Sequence, residues 1–429
     1  MPGFILPEPH RNRTINAVEF LLMNDPGLRP RPLAELPKVQ YFPFPKGSAL
    51  VRTGWSVGRQ CRDVLCEMKI NEYWGTGHQH QDAGAFQLYY KGLLAGDSGY
   101  YQSKIVIFDW EKRKVLNNGN TGCNGIYDNN YNKATIAHNC MLVLDPEETG
   151  PIAAPMGGQP LPSSSYRNLD AYLKEDRNRI GQVLGFGSKG GITFLSGEIS
   201  RAYGPKVSDY TRSFAFVEFP EGDCPAALFV HDDITSANKG FRKYWLCHGI
   251  NPPRIQENRS VFSVTERGYN GRLTVDTLLP RQEDLEITAI LDPMDFDVFG
   301  KKYPAELFPE RRNDCGACRI MVSPKTLREQ DHFLHVLQVS DGDAGSMEQP
   351  VMLEGQGFRG ALLRGTAVIF ADRDASEIRL ELPQFCGRVV ICGISGQWEW
   401  NGKYFPIPEK ESFLIFGNMQ TLHGRKLPQ

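Results

Sequence analysis

The chain has no apolar run approaching the roughly 20 residues that cross a bilayer as a helix, so no membrane partner is expected. Its start, MPGFILPEPHRNR, lacks a basic stretch followed by a long apolar core and does not read as a secretory signal as it stands. Internal repeats and low-complexity tracts are missing as well. An excess of either charge is also missing: 48 basic residues face 50 acidic ones, for a formal net charge of −2. That balance gives no sign of a nucleic-acid partner, although a local basic cleft for a polyanion needs no basic protein. A second CxxC is absent. Cys315 and Cys318, in NDCGACRI, stand alone, and a zinc ribbon needs two such pairs, so a local disulfide or two thiols is expected. Cys140, Cys386 and Cys392 lie in the apolar runs AHNCMLVL and QFCGRVVICGI and are expected to be buried thiols. Helix signals are scarce. TINAVEFLLMNDPG places Ile15, Val18, Leu21 and Leu22 on one stripe, which Asp25-Pro26-Gly27 ends, and the proline-rich LRPRPLAELPK follows.

What is abundant is strand-like sequence. AFQLYY, SFAFVEF, AALFVHDDI, LTVDTLL, LEITAIL, CRIMVS and FLHVLQVS follow one another with turn residues between them. A chain of 429 residues is expected to hold two or more domains. The expected fold is mainly β, a two-layer antiparallel β-sandwich followed by a smaller C-terminal β-domain, after a short N-terminal helical segment. The expected parts are residues 1–45 (helix and linker), 46–335 (central sandwich) and 336–429 (a smaller sheet of hairpins). In the last part, Trp400-Asn401-Gly402-Lys403 carries an Asn-Gly turn between aromatic strands, a strong hairpin signal. Trp398 and Trp400 are candidates for core packing or for sugar platforms.

The densest chemistry is in GTGHQHQDAGAFQLYYKGLLAGDSGYY, residues 75–101. If residues 77–90 are extended, His78 and His80 face one side, about 6–7 Å apart. Asp97 follows the next short strand, after Gly92 has permitted a turn. His138 stands at the start of another strand-like run. Two imidazoles and one carboxylate are an ordinary ligand set for Zn²⁺, and metal held between strands contributes to folding. A hydrogen-bonded core histidine is the commoner use of a single buried imidazole. His231, beside Asp232 and Asp233, is expected at a strand-end turn.

The stretches HQHQDAGAFQLYYKGLLAGDSGY and TIAHNCMLV, in this order, resemble the heparinase II/III-like polysaccharide lyases, and heparinase II in particular. The resemblance implies that residues 14–54 correspond to the last helix and exit linker of an α/α toroid, most of which is absent. It implies a zinc held by His80, Asp97 and His138, with His78 facing the substrate as the catalytic histidine. It implies β-elimination on a 4-linked uronic acid in an acidic glycan such as heparin or heparan sulfate. The C5 proton is then removed, O4 leaves, and an unsaturated sugar remains. A neutral imidazole suits the base at neutral pH. A tyrosine commonly supplies the other proton transfer, and Tyr100, Tyr101, Tyr127 and Tyr131 are near the cluster in sequence. Lys133 stands where a more basic run is expected. Relatives of this kind are periplasmic or secreted, and a homodimer or a helical partner domain is the expected company.

Two other classes fit the same residues. One is a non-catalytic, metal-stabilised β-protein that binds a glycan or a partner subunit. The other is a metal-dependent hydrolase or oxidase, because a set of two histidines and a carboxylate also binds non-haem iron.

Overall fold

The computed structural model describes residues 25, 27–29, 31–75, 78–98, 108–109, 114–115, 128–148, 157–160, 168–291, 296–302, 316, 318–407 and 412–428. The helix expected over 14–24 lies outside them, as does Cys315. The chain divides into a unit of Met1–Pro37 and a unit of Lys38–Gln429. In the first, the described element is a 3-10 turn, Leu33–Glu35, with Pro32 at its N-cap. In the second, three large antiparallel sheets and two two-stranded ones precede two C-terminal sheets among the described residues. No helix among the described residues is long and apolar enough to cross a membrane.

The first sheet has five strands in chain order: Val39–Phe42, Ser48–Arg52, Leu65–Lys69, Phe86–Tyr89 and Leu93–Ala95. A four-stranded sheet runs Leu285–Ile290, Cys318–Pro324, Arg242–Gly249, Met141–Leu144. Both share a core with the eight-stranded sheet, whose inner strands are Gly271–Leu279, Gln330–Asp341, Ala226–Ser236 and Val207–Glu218. The period of two explains why those strands read as almost unbroken apolar runs. Phe214 and Phe216 join the core shared with the first sheets, while Ala215 and Val217 join a second core on the opposite face. Leu228 and Val230 divide from Ala227 and Phe229 in the same way. The mainly β architecture expected from the sequence is present, and the central strands of the eight-stranded sheet are buried on both faces.

The boundary expected at 335/336 falls inside the strand Gln330–Asp341. Its alternating pattern continues unbroken past that point, and the C-terminal strands begin at Val351. These form two sheets rather than one set of hairpins. Thr366–Ala371 and Arg388–Cys392 pair in parallel, which requires a crossover, and the crossover contributes the strand Glu377–Glu381 to the other sheet. The Asn401-Gly402 turn forms as expected. Both residues have positive φ, +47° and +76°, and Trp400 pairs with Lys403 across them. Trp398 and Trp400 are buried and stacked at 5.4 Å, so they pack a core and offer no sugar platform.

Two further expectations are corrected. Cys140 and Cys392 are buried, but Cys386 is exposed, because it lies in the turn before Arg388–Cys392. Asp232 and Asp233 lie within the strand Ala226–Ser236, not at a strand-end turn. Asp232 is wholly buried, neutralised by Arg212 on the adjoining strand.

Candidate metal centre

The strand expected from residue 77 begins only at Phe86. His78 lies in an exposed turn, and His80 is half-buried in the loop that follows. Their relation is therefore not that of i and i+2 on a strand. The reason is that the backbone here bonds across to other segments instead of along a sheet. Gln81 N donates to the Lys133 carbonyl (2.8 Å), and the Gln81 carbonyl accepts from Thr135 Oγ1 (2.8 Å). The Gln159 side chain takes both backbone groups of Ala83, accepting from its N–H (3.0 Å) and donating to its carbonyl (2.8 Å). Asp82, buried, accepts from Lys69 Nζ (2.5 Å) and Asn71 Nδ2 (2.7 Å). Gly84 closes the loop with φ +84°, where a Cβ would meet Ile199 Cδ1 at 2.6 Å.

Asp97 leaves the end of the strand Leu93–Ala95, after a tight turn in which Gly92 has φ +142°. Its neighbour Ser98 donates its N–H to the Ala137 carbonyl at 2.7 Å. His138 ends the 3-10 turn Thr135–Ala137, three residues before the strand Met141–Leu144 begins. The three side chains thus come from loops beside strands of two different sheets. They converge nonetheless: one ligand atom from each lies within 4.8 Å of the others.

His80 Nδ1 stands 3.2 Å from His138 Nε2, and His138 Nδ1 stands 3.0 Å from Asp97 Oδ1. The second contact lacks the angles of a hydrogen bond, and both of its atoms are buried with no hydrogen-bond partner. An imidazole nitrogen and a carboxylate oxygen at this distance can share either a proton on Nδ1 or a cation. Ligand atoms around tetrahedral zinc stand about 3.3 Å apart, given bonds of about 2.0 Å. The donor set, two imidazoles and a carboxylate, suits the same ion. Each histidine gives one nitrogen to a given ion, and the two short contacts use opposite nitrogens of His138, so one ion can occupy only one of the two gaps.

The electrostatics separate the two rings. Burial, and then the neighbouring His138, push the His80 imidazole down to about 4, which leaves its lone pair available at neutral pH. Burial would also lower His138, but the Asp97 carboxylate outweighs it and holds that ring above the ordinary value. Burial would raise Asp97, yet His138, with Lys69 and His80 behind it, holds it well below the usual carboxylate range. Asp97 keeps a third of its side chain in solvent while its Oδ1 is enclosed, so the centre opens on one side.

Other expected residues are placed differently. Tyr131 is fully buried, its hydroxyl 2.7 Å from Ser98 Oγ and its ring against Phe296, so it packs the wall behind Asp97. Lys133 is buried and gives its carbonyl to the His80 loop. Tyr100, Tyr101 and Tyr127 lie outside the described residues. What the sequence reading missed is the clamp beneath the centre. Arg212, wholly buried, donates through Nη1 to the carbonyls of Gly84 (2.6 Å) and Asn139 (3.0 Å). Its other nitrogens grip Asp232 bidentately, at 2.5 and 3.0 Å. Asn139 in turn donates to the Phe86 carbonyl and accepts from His248, whose Nδ1 is 3.0 Å away. The only sequence signal for this was two charged residues, Arg212 and Asp232, set within apolar strands.

No family model matches the chain, and no curated protein matches its sequence. Among solved structures, it is similar to heparan sulfate lyase HepC from Pedobacter heparinus. The match has 13% identity and a TM-score of 0.44, over 73% of this chain and 39% of that one. It is also similar to a heparinase III gene product, at 13% identity and a TM-score of 0.46, over 76% of this chain and 41% of that one. The chain spans about two fifths of the length of these structures.

Proposed function

We propose that the chain is a polysaccharide lyase that cleaves uronate-containing acidic glycans, of the heparin and heparan sulfate kind, by β-elimination. The observation that carries this reading is the meeting of His80, Asp97 and His138, one ligand atom from each within 4.8 Å of the others, two residues from an exposed imidazole. The substrate class is the one that the sequence resemblance implies.

In this reading His80, Asp97 and His138 hold a zinc ion, which cross-links the loop 78–85 to the segment 135–138 and orients the turn that carries His78. His78 takes the proton from C5 of the uronate. The electron pair left behind forms the C4–C5 double bond, and the bond from C4 to O4 breaks with its electrons going to O4, which takes up one proton to balance the one that His78 removed. Elimination consumes no water, which separates it from metal-assisted hydrolysis. Tyr131, buried and engaged with Ser98, is not placed to protonate O4.

The test is incubation with heparan sulfate while ultraviolet absorbance of an unsaturated uronate is followed. A rise that is lost in His78→Ala, with zinc content retained, is the expected result. New reducing ends without that absorbance would identify a hydrolase. Retained binding with neither product would leave a non-catalytic glycan-binding protein.

A further inference from the structure

The face of the eight-stranded sheet that meets the C-terminal sheets is largely apolar, but one row across it is not. Gly185, Ser196, Ser213 and His231 are register partners on four neighbouring strands, so they lie side by side. Above them the segment Ala371–Arg373, Gly393–Ser395 and Ser412 leave a cavity of about 230 Å³. Gly185 is required here, because a Cβ would meet Ser412 Oγ at 1.9 Å. The floor is buried, and the mouth is formed by the exposed Leu184, Arg373 and Ser395. His231 is only 5% exposed, and its Nε2 is enclosed without a hydrogen-bond partner. Buried polar atoms of this kind are rare unless something fills the space beside them.

We propose that this cavity binds a single neutral sugar ring, at a site separate from the metal centre. The lining supplies groups that both donate and accept, as sugar hydroxyls require. Ser196 and Ser213 face each other at 2.8 Å, each with capacity left over. Burial keeps His231 neutral, so its ring offers one donor and one acceptor. Phe194, Leu184 and Ile394 give an apolar wall for the C–H face of a ring. The charges argue against an acidic ligand. Arg373 is committed to Asp209 and Thr211, and Asp372 to Arg359. Asp233 accepts from the Gln330 amide, with no lysine or arginine bridged to it among the described residues. Among the described residues that line the cavity, no cation without an acidic partner remains to receive a carboxylate or sulfate. The cavity has room for one ring and not for a chain of them.

Saturation-transfer NMR and calorimetry with D-glucose test this, with D-glucuronate as the charged control. Binding on the order of millimolar is expected, as suits so small a ligand. Glucuronate is expected to bind at least tenfold more weakly. His231→Phe keeps a ring to stack on Phe370 and His332, 5.3 and 5.7 Å away, but removes both nitrogens. It is expected to lose at least tenfold in affinity at unchanged melting temperature. Ser213→Ala carries the same expectation, should the first variant fail to fold. Absence of a glucose signal from the wild type would overturn the proposal. So would equal binding in a folded variant, or glucuronate binding as tightly as glucose.

Discussion

Replacing Arg212 separates the stability of the fold from the positioning of the candidate metal centre. Arg212→Met leaves Asp232 as an unpaired charge at zero exposure, with the Tyr210 hydroxyl (2.8 Å) as its remaining side-chain donor among the described residues. Breaking a buried pair in this way costs about 3–5 kcal/mol. The Gly84 and Asn139 carbonyls also lose their donor, at about 1–3 kcal/mol for each one that water does not reach. Arg212→Met with Asp232→Leu removes the stranded charge, and most of the first cost with it. It does not restore the two carbonyl contacts, and these hold the loop of His80 and the residue after His138. Urea unfolding, followed by fluorescence of the buried Trp245, measures the first effect. Zinc content after competition with a graded chelator measures the second. The single variant is expected to lose at least about 3 kcal/mol, and the double variant to recover most of it. Both are expected to bind zinc about 10–100-fold more weakly, the usual effect of losing groups that orient ligands. Full recovery of zinc affinity in the double variant would refute the clamp. A loss below about 1 kcal/mol in the single variant would refute the energetic role of the pair.

His80→Ala and Asp97→Ala are expected to lower both zinc content and melting temperature, whereas His78→Ala should change neither; equal destabilisation in all three would contradict the division of roles. Saturating zinc at about 100 times its dissociation constant should stabilise the wild type by about 2.7 kcal/mol, and chelation should reverse this in a thermal scan. Gly84→Ala, with φ +84° and a 2.6 Å approach to Ile199, is expected to cost about 2–3 kcal/mol and to weaken zinc binding, read by denaturation and metal analysis. His231 and His335 are held neutral in the fold by burial, well below the ordinary histidine value. Below about pH 6.5 the unfolded chain binds a proton at each and the folded chain does not. These two groups therefore make stability fall with falling pH, by up to about 2.7 kcal/mol per unit. His335→Phe, which keeps a ring against Trp245, should flatten the slope by up to about 1.4 kcal/mol per unit in urea titrations at pH 7, 6 and 5.

Much of the architecture was legible because burial leaves a period. SFAFVEF and AALFV are strands whose two faces feed different cores, so both parities are apolar. Asn401-Gly402 announced its hairpin because few other pairs accept positive φ twice in succession. The candidate centre was legible in composition but not in conformation. His78 and His80 looked like strand residues, yet Gln81 and Ala83 give their backbone bonds to Lys133, Thr135 and Gln159, which are distant in sequence. The Arg212–Asp232 clamp and the polar row under the C-terminal sheets depend on strand register, which local pattern does not specify.

The sequence alone determined the β class, the turns that need glycine or Asn-Gly, and which imidazoles and carboxylates were available for chemistry. These are local properties, fixed by side-chain size, backbone freedom and hydrophobic period. Tertiary structure alone decided that His80, Asp97 and His138 meet from loops beside two sheets, that Tyr131 is walled in, and that His231 lines a cavity. Those outcomes follow from long-range pairing and from the packing of one sheet against another. No window of neighbouring residues contains that information, because the contacts that create it join segments tens to hundreds of residues apart.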